Sequence, residues 1–523
     1  MKASAAVAVL ATALLVTSVG SAATPAAPST SLYTVAFNDS SLPANVDALV
    51  AAAGGTIVAR IPEIGGIAVR SAKPDFQTKM SGIASVADTG HSTQTSLKDS
   101  SAVSAAPSQS VRRGKAGGAG VDPQTEPDPL GMQQWDKMRM NVSSSGSYAL
   151  EQGKHAVKVA LTDTGVDVTH PDIAQNLDLL ESQNFITFGP DFPLVVPGDQ
   201  TIQDFNGHGT WTASAVAAPI NGVGISGVAP NVSIVELKTN DAFGNGNLFD
   251  WDRAVVYAGR NLFDVLSSSI YTFVQTCSNG ARKHGCDDSD YLLAQRAVDF
   301  ARQRGVTIVG ATGNENIDLS DQHVVGAPFG VQTATEVPAG LDGVVGVDAT
   351  GYSNQKAFYA SYGKGIVDVT APGGDSVTQP TPPQYLNGGR LIGAWSSTAI
   401  DSSQTQHEIE SCAGVVCGMY SWDQGTSMAT PNVAGVAALI VSRYGRFDPG
   451  TTTHLAPDLV ERILEGTAAP QACPDPHRVD YPFPPESFFA SASAVCQGGF
   501  KDNGFFGSGI ADAVSALSAG LHR

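Results

Sequence analysis

Three residues of this 523-residue chain stand where an apolar run or a glycine-rich turn meets the next element, and their types suit nucleophilic acyl chemistry. Asp163 closes the apolar run Val157-Lys158-Val159-Ala160-Leu161-Thr162 and is followed by Thr164-Gly165. A carboxylate at the end of a buried strand is held rigidly and partly desolvated, as the orienting partner of an imidazole must be. His208 stands between Gly207 and Gly209, at the start of the Ala-rich stretch Ala213 to Ala218. Flanking glycines let the backbone pass close to other groups, and a histidine heading a helix projects its ring from a fixed base. Ser427 lies in Gly425-Thr426-Ser427-Met428-Ala429-Thr430-Pro431, with the helix-forming run Asn432 to Ile440 directly after it. There it meets unpaired N–H groups and the positive end of the helix dipole, which stabilise an oxygen that turns negative. Pro431 is expected in the first helical turn, where its missing N–H costs little.

A fourth residue, Asn314, ends the strand-like run Val306-Thr307-Ile308-Val309-Gly310-Ala311-Thr312-Gly313. A side-chain amide so placed can donate to a developing oxyanion, an interaction worth roughly 3 kcal/mol in a transition state. Each residue taken alone has a plainer reading: a turn aspartate, a loop histidine, an N-capping serine, a turn asparagine. Asp-Thr-Gly also suits a carboxylate dyad working in acid, and a second copy occurs at Asp88-Thr89-Gly90. That copy has no apolar strand of any length before it and is expected to be a turn. Ser427 lacks a Gly-x-Ser-x-Gly setting, which disfavours a strand-to-helix nucleophile elbow.

The elements that must position these residues follow from periodicity. From Ala156 onward, apolar β-rich runs alternate with helical stretches, the signature of an α/β fold whose parallel sheet is covered by helices. Strands are expected at Val157 to Leu161, Ser233 to Leu237, Asp264 to Ser268, Val306 to Gly310, Val344 to Val347 and Ile366 to Val369. Helices are expected near Thr210 to Ala217, Asp250 to Gly259, Tyr291 to Arg304, Ser427 to Tyr444 and Pro457 to Glu465. Ahead of these, Leu32 to Phe37, Gly55 to Arg60 and Gly66 to Arg70 read as short strands around a helix at Val46 to Ala53, a small α+β module. Between the two parts, about His91 to Asp128, a Ser/Ala/Gly/Pro-rich stretch with Arg112-Arg113 in its midst reads as an exposed, cleavable linker.

Composition bounds the rest. With 42% hydrophobic and 15% charged residues the chain can bury a large core. Its net charge of −19 argues against nucleic-acid binding, which needs clustered Lys and Arg. Residues 1–23 have the basic start, apolar centre and small-residue end of a secretory signal, and no later run is long and apolar enough to span a bilayer. Export suits six cysteines, which fall in local couples: Cys277 with Cys286, Cys412 with Cys417, and Cys473 with Cys496. Six cysteines allow about fifteen pairings, and short loop closure favours the local one. Zinc is disfavoured because no two cysteines are two residues apart and no histidine pair stands beside them.

Together the four segments resemble the subtilisin-like serine peptidases, the subtilase family (peptidase S8), over about Trp135 to Leu517. The matching motifs are Thr162-Asp163-Thr164-Gly165-Val166-Asp167 with His170-Pro171-Asp172-Ile173, Gly207-His208-Gly209-Thr210, Ala311-Thr312-Gly313-Asn314 and Gly425 to Pro431, in the family's order. The resemblance implies a three-layer α/β/α fold with a mostly parallel central sheet and an Asp163-His208-Ser427 triad in a secreted serine endopeptidase. It implies an oxyanion hole from Asn314 and the N–H of Ser427, with the substrate strand beside Ser267-Ser268-Ser269-Ile270 and the Ala311-Thr312-Gly313 segment. It also divides the chain into a signal at 1–23, an inhibitory propeptide at 24–90, a processed linker at 91–128 and a peptidase domain at 129–523. The implied partners are protein or peptide substrates and the chain's own propeptide, without nucleic acid or membrane, on a monomer. Catalysis implies no cofactor or metal; the family's stabilising calcium has no acidic loop here from which ligands can be named.

The chain also departs from the family pattern. Trp211 follows Gly209-Thr210 where a histidine is usual, and is expected to alter packing behind His208 only. Tyr271 stands where the substrate-binding segment usually turns on glycine, and is expected to reshape the pocket for the residue before the cut. The stretches 272–290, 401–424 and 470–503 each hold one cysteine couple and are expected to be stapled surface insertions. His170 and Asp172 are expected to serve loop structure. Competing readings are a catalytically silent binding protein of the same fold, an aspartic peptidase built on the two Asp-Thr-Gly copies, and an esterase or ligase using the same triad.

Overall fold

The computed structural model describes residues 30–97, 127–276, 288–327, 332–400, 409–447, 454–482 and 492–520. The proposed signal, Arg112-Arg113 and the Cys277–Cys286 couple lie outside them.

The first part is built on Leu32-Tyr33-Thr34-Val35-Ala36-Phe37, whose side chains alternate between two apolar environments. This run forms β1 (Ser31–Phe37), followed by α1 (Val46–Ala53), β2 (Thr56–Ile61), β3 (Gly66–Ser71), α2 (Phe76–Ser81) and β4 (Val86–His91). The sheet order is β2-β3-β1-β4. Val35 and Phe37 face the module's own helices in a cluster with Val50, Phe76 and Met80. Leu32 and Ala36 face the opposite way. The Asp88-Thr89-Gly90 copy is therefore not a turn: β4 pairs antiparallel with β1, setting Ala36 opposite Asp88, Val35 opposite Thr89 and Thr34 opposite Gly90. The exposed backbone edge of β1 recruits it without an apolar run of its own. The expected linker likewise begins with a short strand, β5 (Gln94–Ser96).

Beyond residue 127 come α3 (Trp135–Arg139), β6 (Lys158–Thr162), α4 (Pro171–Ala174), β7 (Gln183–Asn184), α5 (His208–Ala217), β8 (Ser233–Lys238) and β9 (Asn245–Asn247). Then follow α6 (Leu248–Arg260), β10 (Val265–Ser268), β11 (Thr272–Gln275), α7 (Asp288–Arg302), β12 (Thr307–Ala311), α8 (Gln322–Gly326), β13 (Ala334–Val337), β14 (Val344–Thr350) and β15 (Val369–Pro372). The chain continues through β16 (Leu391–Trp395), β17 (Ile409–Ala413), β18 (Val416–Asp423), α9 (Thr426–Tyr444), α10 (Pro457–Thr467), β19 (Arg478–Asp480), β20 (Ser493–Val495) and α11 (Ala513–Leu517). Seven strands form one sheet in the order β15-β14-β12-β10-β6-β8-β7, with every pairing parallel. Apolar clusters cover both faces, one centred on α9 and one on α6 and α7. This is the expected α/β architecture. β15 starts three residues later than expected because the amides of Ile366 and Val367 fold back onto the Gly363 carbonyl.

Among the described residues two disulfides are formed, Cys412–Cys417 and Cys473–Cys496. The stretches they close are not simply surface insertions. Val415 at the tip of the β17–β18 hairpin is 98% exposed, but Tyr420 and Trp422 on the same strand are buried. Ala494 and Cys496 pack into the α9 core. Among the described residues no helix is long and apolar enough to cross a membrane.

Candidate active site

Asp163 follows β6 directly, and His208 is the first residue of α5. The two meet through His208 Nδ1 and Asp163 Oδ1 at 2.7 Å. The other carboxylate oxygen, Oδ2, accepts from Thr212 Oγ1 at 3.0 Å, and the Thr164 amide donates to Oδ1 at 2.8 Å. Asp163 is 1% exposed, the His208 side chain 12%. Burial works against a charged imidazole. The Asp163 charge and hydrogen bond, with Asp423 and Asp204 adding, outweigh it and hold His208 above its ordinary value.

Close backbone approach explains the glycines beside His208. A Cβ on Gly209 would come within 2.0 Å of the Gly165 carbonyl oxygen, and one on Gly207, at φ +111°, within 2.4 Å of the Trp395 ring. Asp204 ties this turn together, accepting from the amides of Asn206, Gly207 and Thr210 at 2.9, 2.8 and 2.9 Å. Trp211 is fully buried, packs with Trp135, Leu391 and Met428, and donates to the Ser421 carbonyl. Its role is packing, as its place behind His208 suggests.

Ser427 is the second residue of α9 and is 5% exposed. Its hydroxyl donates to the Ser269 carbonyl at 2.8 Å, and the Ser269 hydroxyl donates back to the Ser427 carbonyl at 2.9 Å. Pro431 makes the second bond possible. Because α9 begins at Thr426, Pro431 lies in the second turn rather than the expected first one. Four residues after Ser427, it has no N–H to offer the Ser427 carbonyl, which is left for Ser269. Asn314 Oδ1 accepts from the Thr426 amide at 2.9 Å and from Thr426 Oγ1 at 3.0 Å. These bonds turn the amide NH₂ away from Thr426.

The residues expected along a substrate edge divide into two sets. Ser267 and Ser268 belong to β10, a central strand paired with both β6 and β12, so their backbone cannot take up another strand. Ser268 Oγ instead accepts from Trp251 Nε1 at 2.9 Å. Ala311 is likewise paired within the sheet, and Thr312 donates to the Val347 carbonyl at 3.2 Å. Ser269, Ile270 and Gly313 lie past the strand ends, beside Ser427 and Thr426. His170 caps α4, and the buried Asp172 accepts from the Tyr420 hydroxyl at 2.7 Å. Both serve local structure. Burial, outweighing these bonds, raises the Asp172 carboxyl to about 7.

Sequence reasoning passed over Thr212, Asp204 and Glu236. Thr212 had a signal: four residues after His208 it falls on the same helical face. Glu236, buried on β8, accepts from the Gly165 amide at 3.2 Å. Burial, with Asp163 and Asp204 adding, raises its carboxyl well above the ordinary range. No local motif marks it. Among the described residues only Glu410, Cys412 and Cys417 come close enough to share an ion; the two cysteines are bonded to each other.

This fold and this grouping of residues are those of one family, and the chain belongs to it: the subtilase family profile (peptidase S8) matches residues 154–505. The thermophilic serine proteinase of Bacillus sp. (strain AK1) is 30% identical over 304 residues, 58% of this chain and 56% of that protein. Subtilisin Savinase of Lederbergia lenta is 30% identical over 284 residues, 54% of this chain and 76% of its own. The chain spans little more than half the length of the first curated relatives it matches. Among solved structures, the epidermin leader peptide processing serine protease EpiP of Staphylococcus aureus superposes with a TM-score of 0.68 at 20% identity, covering 94% of this chain and 99% of that one. Fervidolysin of Fervidobacterium pennivorans superposes with a TM-score of 0.61 at 21% identity, covering 94% and 61%. These two likenesses concern the fold.

Proposed function

We propose that this chain is a secreted serine endopeptidase that cleaves proteins or peptides through Asp163, His208 and Ser427. The observation that carries the reading is the 2.7 Å contact between buried Asp163 and His208 Nδ1, which leaves Nε2 as the base, together with a serine at the head of α9. Ser427 Oγ attacks the scissile carbonyl, and its proton passes to His208 Nε2. Asp163 holds the tautomer and stabilises the imidazolium, with Thr212 fixing the carboxylate. The carbonyl oxygen, now negative, is stabilised by the Asn314 amide and the Ser427 N–H. His208 then returns the proton to the leaving amine, and water resolves the acyl-enzyme by the same steps. Before attack, the Ser427 hydroxyl must leave the Ser269 carbonyl, a rotation about one bond.

On this reading the 24–90 module acts as an inhibitory propeptide, activation follows its cleavage, and the mature enzyme works as a monomer without a catalytic cofactor. Treatment with a serine-directed fluorophosphonate tests the chemistry. One label per chain, mapped to Ser427 and lost in His208→Ala, is expected. Labelling that is absent, or that persists in His208→Ala, contradicts the reading.

A further inference from the structure

Past β10 the backbone runs by the nucleophile at Ser269 and reaches Tyr271. The Tyr271 ring lies against Gly313, where a Cβ would come within 2.9 Å of it. The Tyr271 hydroxyl donates to Glu315 Oε1 at 2.9 Å and accepts from the Asn314 amide at 3.0 Å. Pairing of β11 with β13 then sets Phe273 opposite Glu336. Glu336 is 2% exposed. Its Oε2 accepts from the Gly340 amide at 3.0 Å, while its Oε1, also buried, has no hydrogen-bond partner. Among the described residues no Lys or Arg forms an ion pair with it. Two buried acids thus flank Tyr271, two residues past the Ser269 that contacts the nucleophile, and one of them keeps an unsatisfied oxygen, an arrangement that costs free energy unless a donor arrives. Burial, with the nearby Glu315 charge adding, raises the Glu336 carboxyl well above its ordinary range; an incoming cation would favour its ionised form.

The chain itself shows how a peptide approaches. Strand β5 pairs antiparallel with β9, the Leu97 amide donates to the Gly244 carbonyl at 2.9 Å, and the Gln94 carbonyl accepts from Thr272 Oγ1 at 2.9 Å. A peptide-like strand therefore lies between β9 and the start of β11. The turn preceding β9 rests on the catalytic end: the Thr239 amide donates to the Asp163 carbonyl at 2.9 Å, and Asn206 Nδ2 to the Ala242 carbonyl at 3.3 Å. From Gln94 to Leu97 the strand thus runs toward His208.

We propose that Glu336, seconded by Glu315 across the Tyr271 ring, forms a selectivity pocket for a lysine or arginine side chain immediately before the scissile bond. The inference rests on the endopeptidase reading. The pocket supplies the unpaired carboxylate oxygen, and the substrate supplies a cation long enough to reach a buried group. Asn314, beside Glu315 in sequence, couples the pocket wall to the place where the oxyanion forms.

The test uses the mature enzyme and a peptide series differing only at the residue before the cut: Arg, Lys, Gln, Leu and Phe. The wild type is expected to cleave the Arg and Lys peptides with kcat/KM at least about 100-fold above Gln and Leu. Glu336→Gln is expected to bring that ratio below about tenfold while still cleaving the Leu peptide, and Glu336→Asp, which keeps the charge, to retain part of the preference. Hydrolysis of Leu or Phe peptides as fast as Arg by the wild type overturns the pocket and leaves the endopeptidase reading standing. An unchanged ratio in a folded, active Glu336→Gln enzyme also overturns it. Failure to cleave any peptide, combined with no fluorophosphonate labelling, overturns the endopeptidase reading itself.

Discussion

The two largest sheets among the described residues are closed in different ways. The seven-stranded sheet carries on one face α9, buried from Thr426 to Ser442, with an apolar seam that cannot open without unfolding. The four-stranded sheet of the N-terminal module has its own helices on one face. Its other face puts Leu32, Ala36, Ile61, Ile64 and Ala68 against α6 and α7. Polar contacts surround this second patch: Arg296 donates to the carbonyls of Phe37 and Ile64 at 2.8 and 3.0 Å. Arg260 pairs with Glu63 at 2.5 Å and Arg70 with Asp191 at 2.6 Å. The Thr34 hydroxyl and the Thr93 amide both donate to Asp290, at 2.5 and 2.6 Å. An apolar centre with a polar rim is how separable proteins meet. The seven-stranded body closes on an apolar core and the module packs on it through a smaller, rimmed patch, which supports the propeptide role proposed above.

The contrast can be sharpened by substitutions, beginning in the body. His208→Ala should lower kcat on the order of a million-fold, measured by peptide hydrolysis on variant enzyme whose module has been cut away by an added protease. Asp163→Asn should cost roughly ten-thousand-fold, because the imidazole loses the tautomer that Asp163 imposes. In the native enzyme kcat/KM should fall as pH drops through the His208 pKa, which lies above the ordinary 6.5. An acid limb below that value would show that Asp163 does not hold the imidazole as described.

Asn314→Ala should lower kcat by about a hundred- to thousand-fold with little change in KM. At the rim the effects are smaller. Arg296→Ala should weaken the hold of a cleaved but undissociated module about ten- to a hundred-fold, read from its dissociation rate. Arg260 and its hydrogen bond outweigh burial and lower the Glu63 pKa below 4.5. A carboxyl depressed in the docked state contributes its share of stability above the free value and loses it as pH falls through the docked one. Module release should therefore quicken slightly in acid, and Glu63→Gln should blunt that response.

The sequence made most of the positioning scaffold legible, because apolar runs and Gly/Asp punctuation mark strand ends directly. Helix α1 and the starts of β8, β14 and α10 fall where periodicity predicts them. What escaped depends on partners distant in the chain. β4 exists because β1 offers an edge, and the Asp88-Thr89-Gly90 run carries no sign of that. Ser267 and Ser268 read as a substrate edge, yet neighbours on both sides make them interior. Pro431 acquires its meaning only through Ser269, some 160 residues away. Glu336 is set beside the hydrogen-bonded Tyr271–Glu315 pair by the pairing of β11 with β13, which no local pattern announces. The four residues of the proposed chemistry were legible because each sits in its own short motif, whereas the groups that tune them are scattered.

The most direct test is incubation of the purified full-length chain beside its Ser427→Ala variant at pH 8, followed by intact mass and casein hydrolysis. The native chain is expected to lose an N-terminal segment ending within residues 91–128 and to digest casein, while the variant stays whole and inert. If both chains stay whole and inert, or both are processed and active alike, Ser427 is not the nucleophile and the account fails.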